Sequence, residues 1–385
     1  MSKIIKAHSL TGRITDGLMR DSFKAVKRNR GAAGIDKVSI KMFEANLADN
    51  LRALMRELKS GSFQPRPLRR HLIPKNETEF RPLGIPAVRD RVAQEVVRRL
   101  IDPIFEPLFH PSSFGFRRGR NCHMAVEQAL KLHDAGFRFV VDADIKGFFD
   151  NLSHPIIMQS VAERVADGNI LDLIEKFLKS GVMDGGLFKP TSIGTPQGGV
   201  ISPLLANIVL NHLDWQLHHA GYRFVRYADD FVVLCSTPAQ AKEALAYVQQ
   251  VLDQRLKLQL SLEKTKVTSY GKGYSFLGFV LSSRFRHMRP KSLKKFKDKI
   301  RDMTCRKHNL DKALVEKLNR VIRGTALYFA TWFFTGRKMF NRLDSWIRMR
   351  LRCMKTKKKS TCDHLKLHNK VFDRLGLLRL ESFCA

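Results

Sequence analysis

The chain has 385 residues, enough at ~100–200 residues per domain for two or three modules around one large core. Hydrophobic residues make up 44% of it and charged residues 27%, a globular composition that excludes wholesale disorder. Its 69 Lys and Arg against 36 Asp and Glu leave a formal net charge of +33, and such a chain repels itself unless a polyanion neutralises it.

Residues 1–35 are polar and basic and read as an extension ending in a turn at RNRGAAGID, where Gly31 and Gly34 break a helix. The spacing of Ile40, Phe43, Leu47, Leu51 and Leu54 predicts one helix across residues 39–58, and LRRHLIPK then reads as a strand. A turn at Asn76 leads to RPLGIP. Val88, Val92, Val96, Val97, Leu100 and Ile101 predict a core-packed helix within residues 87–108, stopped by Pro103 and Pro107. Residues 137–145 are a β-type run that enters a bend at Gly147, and a helix is expected from Pro155. After TPQGG, residues 201–213 read as a strongly apolar helix. Two short strands, 224–227 and 231–235, flank Ala228-Asp229-Asp230 and signal a hairpin. From Pro290 to about Lys355 the pattern becomes helices dense in Lys and Arg. Strands and helices mix without strict βαβ alternation, so an α+β fold is expected rather than a doubly wound sheet. No internal repeat is visible.

Basic side chains that displace condensed counterions drive association with nucleic acid, which makes nucleic acid the leading partner on charge alone. A basic peripheral membrane protein or a ribosomal-type protein would share this charge, so motifs must decide. The cysteines Cys122, Cys235, Cys305, Cys353, Cys362 and Cys384 are scattered, with no C-x-x-C pair, which argues against zinc and for reduced thiols. The N-terminus lacks an apolar signal-like region, and no stretch reaches the ~18–20 apolar residues that span a bilayer. A cytoplasmic location without a membrane partner is the expectation.

Polymerising nucleotides requires two divalent ions ~3.5–4 Å apart, and Mg²⁺ prefers oxygen ligands, so aspartates must converge. The hairpin turn offers Asp229 and Asp230, and the end of a separate strand, in VDADIKGFFD, offers Asp144. Taken singly, Asp-Asp is also a good turn and Asp144 a good strand-end cap. The chain, however, carries a whole ordered set: LIPKNETEFRPLGIP, SSFGFRRGR, DADIKGFFD, GTPQGGVISPLLANIVLNHLD, RYADDFVVL, LQLSLEKTKV and YSFLGFV. In order and wording these blocks resemble the reverse transcriptase blocks of bacterial group II intron proteins, over roughly residues 31–350.

The resemblance implies an RNA-directed DNA polymerase with a right-hand fold. Residues 1–35 would be a basic extension, 36–280 the fingers and palm, and 281–385 a helical thumb with a short basic tail. Asp144, Asp229 and Asp230 would bind two Mg²⁺ ions, with Mn²⁺ as a substitute, and Asp142 would lie outside the site. Lys75 and Arg81 match the positions that touch the incoming triphosphate, Arg as a fork and Lys as a point charge. Phe149 matches an aromatic ring beneath the incoming sugar, which a 2′-hydroxyl would strike. The competing reading makes Phe148 and Phe149 simply core. Gln197 and Gly198 resemble the block against the templating pair, where glycine permits close backbone approach. Tyr227 is expected to support the primer end, and Arg69 and Arg70 to face template. Lys264 and Lys266 are both candidates for a proton donor to pyrophosphate, with no choice between them.

In the C-terminal third, Leu318, Ile322, Leu327, Phe329, Trp332, Leu343, Trp346 and Ile347 are expected to face inward. That leaves Arg320, Arg323, Arg337, Lys338, Arg348, Arg350 and Arg352 for a surface that could grip phosphates. The segment resembles the thumb, or maturase region, of the same family. The tail from Thr361 lacks the paired cysteines and histidines of the H-N-H nuclease found in many relatives. The partners implied are dNTPs, a DNA primer or target, and a structured RNA, either a template such as a group II intron or another noncoding RNA; the oligomeric state is not implied. Two other readings compete: a host-serving, antiphage-defence reverse transcriptase copying a dedicated noncoding RNA, and an RNA-binding splicing factor that needs no catalysis.

Overall fold

The computed structural model describes residues 6–74, 79–184, 187–195, 198–357 and 367–384. Lys75, the turn at Asn76, Gln197 and Cys362 lie outside the described residues. The chain forms two compact units, one of Met1–Ala125 with Ala143–Lys266 and the other of Val126–Asp142 with Val267–Ala385.

The first unit opens with a helix that the sequence reading did not assign. In α1 (Asp16–Arg28) the buried Met19, Ser22, Phe23 and Val26 form a stripe at helical spacing, and the Thr15 hydroxyl accepts from the Leu18 amide to cap it. The single helix expected across residues 39–58 is two, α2 (Ile40–Ala45) and α3 (Leu47–Ser60). Asn46 leaves the helical region there, and the Asn50 side chain donates to the Phe43 carbonyl (2.8 Å), a helix-end acceptor. The strand β1 (Leu68–Pro74) pairs antiparallel with β2 (Phe80–Ile85), Arg69 facing Ile85 and Pro74 facing Phe80. The long helix α4 (Val88–Phe105) buries Val88, Val92, Val96, Val97 and Ile101 as expected, but runs through Pro103 instead of stopping before it. Pro103 sits in the last turn, so its missing amide removes one bond where the helix is already ending; Pro107 follows in a 3₁₀ turn.

Within α5 (Cys122–Asp134) the chain passes into the second unit, and it returns through β3 (Phe139–Asp144). Gly147, at φ 52°, turns it into the short α6 (Phe148–Asn151). Next come α7 (His154–Ala162) and α8 (Gly168–Lys179), the latter capped by Asp167. The short strands β4 (Val182–Asp184) and β5 (Leu187–Lys189) pair, and β4 joins β1 in parallel, which gives a sheet of order β2-β1-β4-β5. The helix α9 (Ser202–His219) extends past the expected end and is buried on most sides. It leads into β6 (Arg223–Tyr227) and β7 (Asp230–Cys235), the expected hairpin, in register from Arg223 with Leu234 to Tyr227 with Asp230. After α10 (Pro238–Val251) comes β8 (Lys266–Ser269), outermost in a sheet of order β6-β7-β3-β8.

The second unit holds a meander of β9 (Tyr274–Phe276), β10 (Phe279–Leu281) and β11 (Arg286–Met288), followed by α11 (Pro290–Met303), α12 (Lys312–Phe329), α13 (Arg337–Thr356) and α14 (Asn369–Arg374). Leu318, Ile322, Phe329, Leu343 and Ile347 are core as expected. Leu327 and Trp332 are not, at 64% and 72% exposed. The buried stripe of α12 runs through Leu318, Ile322, Ala326 and Phe329 and so passes Leu327 by. Trp332 lies beyond the helix end, where its indole N–H donates to Glu127 (3.0 Å). Trp346 is half-buried, with Lys297 and Arg301 over its ring. Arg348, expected on a nucleic-acid surface, is buried instead: its guanidinium donates to the Asp344 carbonyl and faces Asp373 at 3.5 Å.

Candidate active site

The β6–β7 hairpin carries its two acids at the tip. Asp229 is the second residue of a two-residue turn and Asp230 the first of β7, paired with Tyr227 at the end of β6. Ala228, between them and Tyr227, stands at φ 59°, a left-handed conformation that an L-residue with a Cβ adopts only at a cost. Asp144 ends β3, which is the next strand to β7.

Asp144 is half-exposed, and its Oδ2 accepts from Lys264 Nζ at 3.0 Å. The backbone fixes this pair, because the Ser261 amide donates to the Asp144 carbonyl (2.7 Å) and the Lys146 amide to that of Gln259 (2.8 Å). Lys266, the other candidate, is exposed at the start of β8. Among the described residues, no three or more His, Cys, Asp and Glu side chains converge as a ready-made metal site.

Of the two neighbouring phenylalanines, Phe148 is core and Phe149 half-buried, the rings edge-on at 5.1 Å. The Phe149 carbonyl accepts from the Thr195 amide (2.7 Å), and the buried His154 imidazole lies 2.7 Å from the Gly194 carbonyl. These contacts tie α6 and the start of α7 to the loop that enters TPQGG. Gly198, at φ 114°, packs on β2: a methyl there would overlap the Gly84 carbonyl oxygen and stand 3.1 Å from Leu83 Cδ1. The backbone that its missing Cβ lets approach is therefore the protein's own. Further along the same loop, the Val200 amide donates to Gln94 of α4 (2.7 Å).

In β1 and β2, Arg81 pairs with Ile73 through the backbone, and its side chain lies outside the described residues. Arg70 is bound to Asp184 of β4, which Lys189 of β5 also reaches at 2.7 Å, and these two hydrogen-bonded cations hold the Asp184 carboxyl below its usual range. Arg69 Nε is buried with no hydrogen-bond partner. Tyr227 is half-buried, and burial pushes its phenol above the usual range.

Behind the hairpin lies a group that sequence reasoning missed. Arg226 of β6 is 0% exposed. Its Nε and Nη2 donate to the two carboxylate oxygens of Asp214 (2.7 and 2.5 Å), and its Nη1 donates to Asn207 Oδ1 and the Ala228 carbonyl (both 2.9 Å). Asp214 and Asn207 lie seven residues apart, on one face of α9. The Asn207 amide donates in turn to the Gly115 carbonyl (2.8 Å). Residues 112–114 line the outer edge of β6, the Arg226 amide donating to Ser112 and the Phe114 amide to Arg226. The signal was present in the sequence, since an arginine in an otherwise apolar strand requires a buried acid.

Comparison with known proteins supplies the family. Residues 73–281 match the model for reverse transcriptase (RNA-dependent DNA polymerase), and residues 293–370 match the maturase-specific domain of group II introns. The chain belongs to the reverse transcriptases of the group II intron type. Protein YkfC of Escherichia coli K12 is 38% identical over 297 residues, which cover 66% of this chain and 78% of YkfC. The group II intron-encoded protein LtrA of Lactococcus lactis subsp. cremoris is 31% identical over 60% of this chain, which spans about half (49%) of LtrA. Among solved structures, telomerase from Candida albicans is similar at a TM-score of 0.48 and 12% identity, over 89% of this chain and 69% of that one, too distant to bear on the assignment. The α+β reverse transcriptase fold and RNA-directed DNA polymerase activity go with this family. Among the described residues, no helix is long and apolar enough to cross a membrane.

Proposed function

We propose that this chain copies RNA into DNA by two-metal nucleotidyl transfer, bound to a structured RNA such as a group II intron whose splicing or mobility it assists. The observation that carries the reading is the hairpin tip of Asp229 and Asp230, on the strand next to the one that Asp144 ends, in a chain of this family. The three carboxylates would hold two Mg²⁺ ions, for which an all-oxygen donor set is suited. When bound, the ions would activate the primer 3′-hydroxyl and hold the leaving pyrophosphate.

The chain's own residues would supply the rest. Lys75 and Arg81 would bind the triphosphate, Phe149 would exclude a 2′-hydroxyl, Gln197 and Gly198 would line the templating pair, and Tyr227 would support the primer end. We favour Lys264 over Lys266 as proton donor to pyrophosphate, because Lys264 already reaches the site. Arg69 and Arg70 would face template. In this reading residues 1–35 are an N-terminal extension, 36–280 fingers and palm, and 281–385 the thumb, and the protein works in the cytoplasm. The test is Asp229→Ala with Asp230→Ala: Mg²⁺-dependent DNA synthesis on an RNA template should be abolished while RNA binding persists. Synthesis near the wild-type level would refute the assignment.

A further inference from the structure

We propose that Arg226, Asp214 and Asn207 are positioning residues that hold the Ala228 carbonyl, and through it set where Asp229 and Asp230 stand. This inference rests on those two aspartates being metal ligands. Ala228 keeps a left-handed backbone without being glycine, so the turn relaxes unless its surroundings hold it. Two contacts do so. The Arg226 guanidinium donates to the Ala228 carbonyl at 2.9 Å, and Gly115 lies flat against the Ala228 amide, where a methyl would overlap the nitrogen.

Both contacts trace to one hub. Asn207 accepts from Arg226 through its oxygen and donates to the Gly115 carbonyl through its nitrogen, so the donor above the turn and the glycine beside it share a partner. Asp214, fully buried, fixes the guanidinium plane through a two-point fork. A buried ion pair is a poor source of stability, since apolar residues of like volume often serve the fold as well. What apolar residues cannot do is lock a guanidinium by its fork and aim the remaining donor at a backbone carbonyl next to Asp229 and Asp230. The geometry therefore points to orientation of the catalytic turn.

The experiment replaces the pair by apolar residues, Arg226→Met with Asp214→Leu, in the full chain. The expected protein is folded by circular dichroism, with a cooperative melt. Its half-saturating Mg²⁺ concentration for primer extension should rise about 10–100-fold, the usual effect of losing an outer partner of a metal ligand. Without metal, amide hydrogen exchange at residues 228–230 should quicken. Arg226→Lys, a cation without the fork, should fall between wild type and the double variant. A folded double variant with wild-type Mg²⁺ dependence and unchanged exchange at 228–230 would overturn the proposal. If the double variant does not fold, Asn207→Leu decides on the same two readouts, and no change in either refutes it. Asp229→Ala run alongside separates the two claims. An active Asp229→Ala protein means the site reading has failed, whereas an inactive one beside an unaffected double variant means only the positioning role has failed.

Discussion

Replacing Gly115 with alanine should disable the polymerase more than it destabilises the fold. A Cβ at Gly115 would stand 2.9 Å from the Tyr227 carbonyl carbon and 3.1 Å from Ala228 Cα, and would overlap the Ala228 nitrogen. Ordinary carbon contacts lie at about 3.5–4.0 Å, so one side must retreat by something on the order of 1 Å. Gly115 cannot easily retreat, since its carbonyl is held by Asn207 (2.8 Å) and the preceding Phe114 amide by the Arg226 carbonyl (2.8 Å). The turn that carries Asp229 and Asp230, already in a left-handed conformation at Ala228, is expected to give instead. Overpacking of this kind costs about 1–3 kcal/mol of stability. A displacement of about 1 Å at reacting groups costs roughly 100-fold in rate. Single-turnover primer extension on an RNA template, read beside a thermal melt, measures both. A folded Gly115→Ala protein with a rate within about twofold of wild type would show that the turn does not depend on this contact.

Phe149→Ala should lower discrimination between dNTPs and rNTPs by about tenfold or more, because the half-buried ring is removed while Phe148 keeps the core filled; an unchanged ratio in competitive incorporation would refute the role. His133, stacked on Tyr270 and within hydrogen-bond distance of the Phe137 carbonyl and the Tyr274 hydroxyl, is pushed down to about 4 by burial. The unfolded state thus binds the proton first, so the contribution of His133 is complete above its ordinary value and should be lost as pH falls from about 6.5 towards 4, up to about 3 kcal/mol. Urea melts across that range should show a shallower loss in His133→Phe, and an identical pH slope would exclude this histidine as a cause. Gly324 is an exposed position inside α12 where an added methyl would meet nothing within 4 Å beyond the helix's own backbone, so Gly324→Ala should raise stability by about 0.5–1 kcal/mol in equilibrium unfolding.

Elements whose burial repeats over many residues were legible in the sequence. The stripes of α4 and α9 carry enough apolar positions to declare a helix, and the β6–β7 hairpin declares itself by two apolar runs around a turn-forming dipeptide. In α1 the buried stripe is short and set among cations, so composition hid it. The break at Asn46 and the passage through Pro103 depend on one or two backbone bonds, below the resolution of any periodicity. The hairpin tip that carries Asp229 and Asp230 was legible because two apolar runs flank it. The support beneath them was legible only in part: Arg226 beside an apolar run calls for a buried partner, but Arg226, Asn207 and Gly115 come together only once α9, β6 and the 112–115 segment are folded side by side.

The arginines expose a further difference between charge and contact. Arg350 donates to the Arg301 and Thr304 carbonyls, and Arg352 to that of Leu367. A carbonyl satisfies the guanidinium donors but cancels no charge, whereas the Asp214 carboxylate beneath Arg226 cancels one. Arginines bound to carbonyls therefore still contribute to the long-range field of a +33 chain and draw a polyanion towards it, although some of their donors are already committed. Long-range attraction sets how fast RNA arrives, while direct phosphate contacts set how steeply salt expels it. A surface built this way should show a smaller salt slope than its net charge suggests, because some of its guanidinium donors are already committed to the protein's own backbone and not to phosphate.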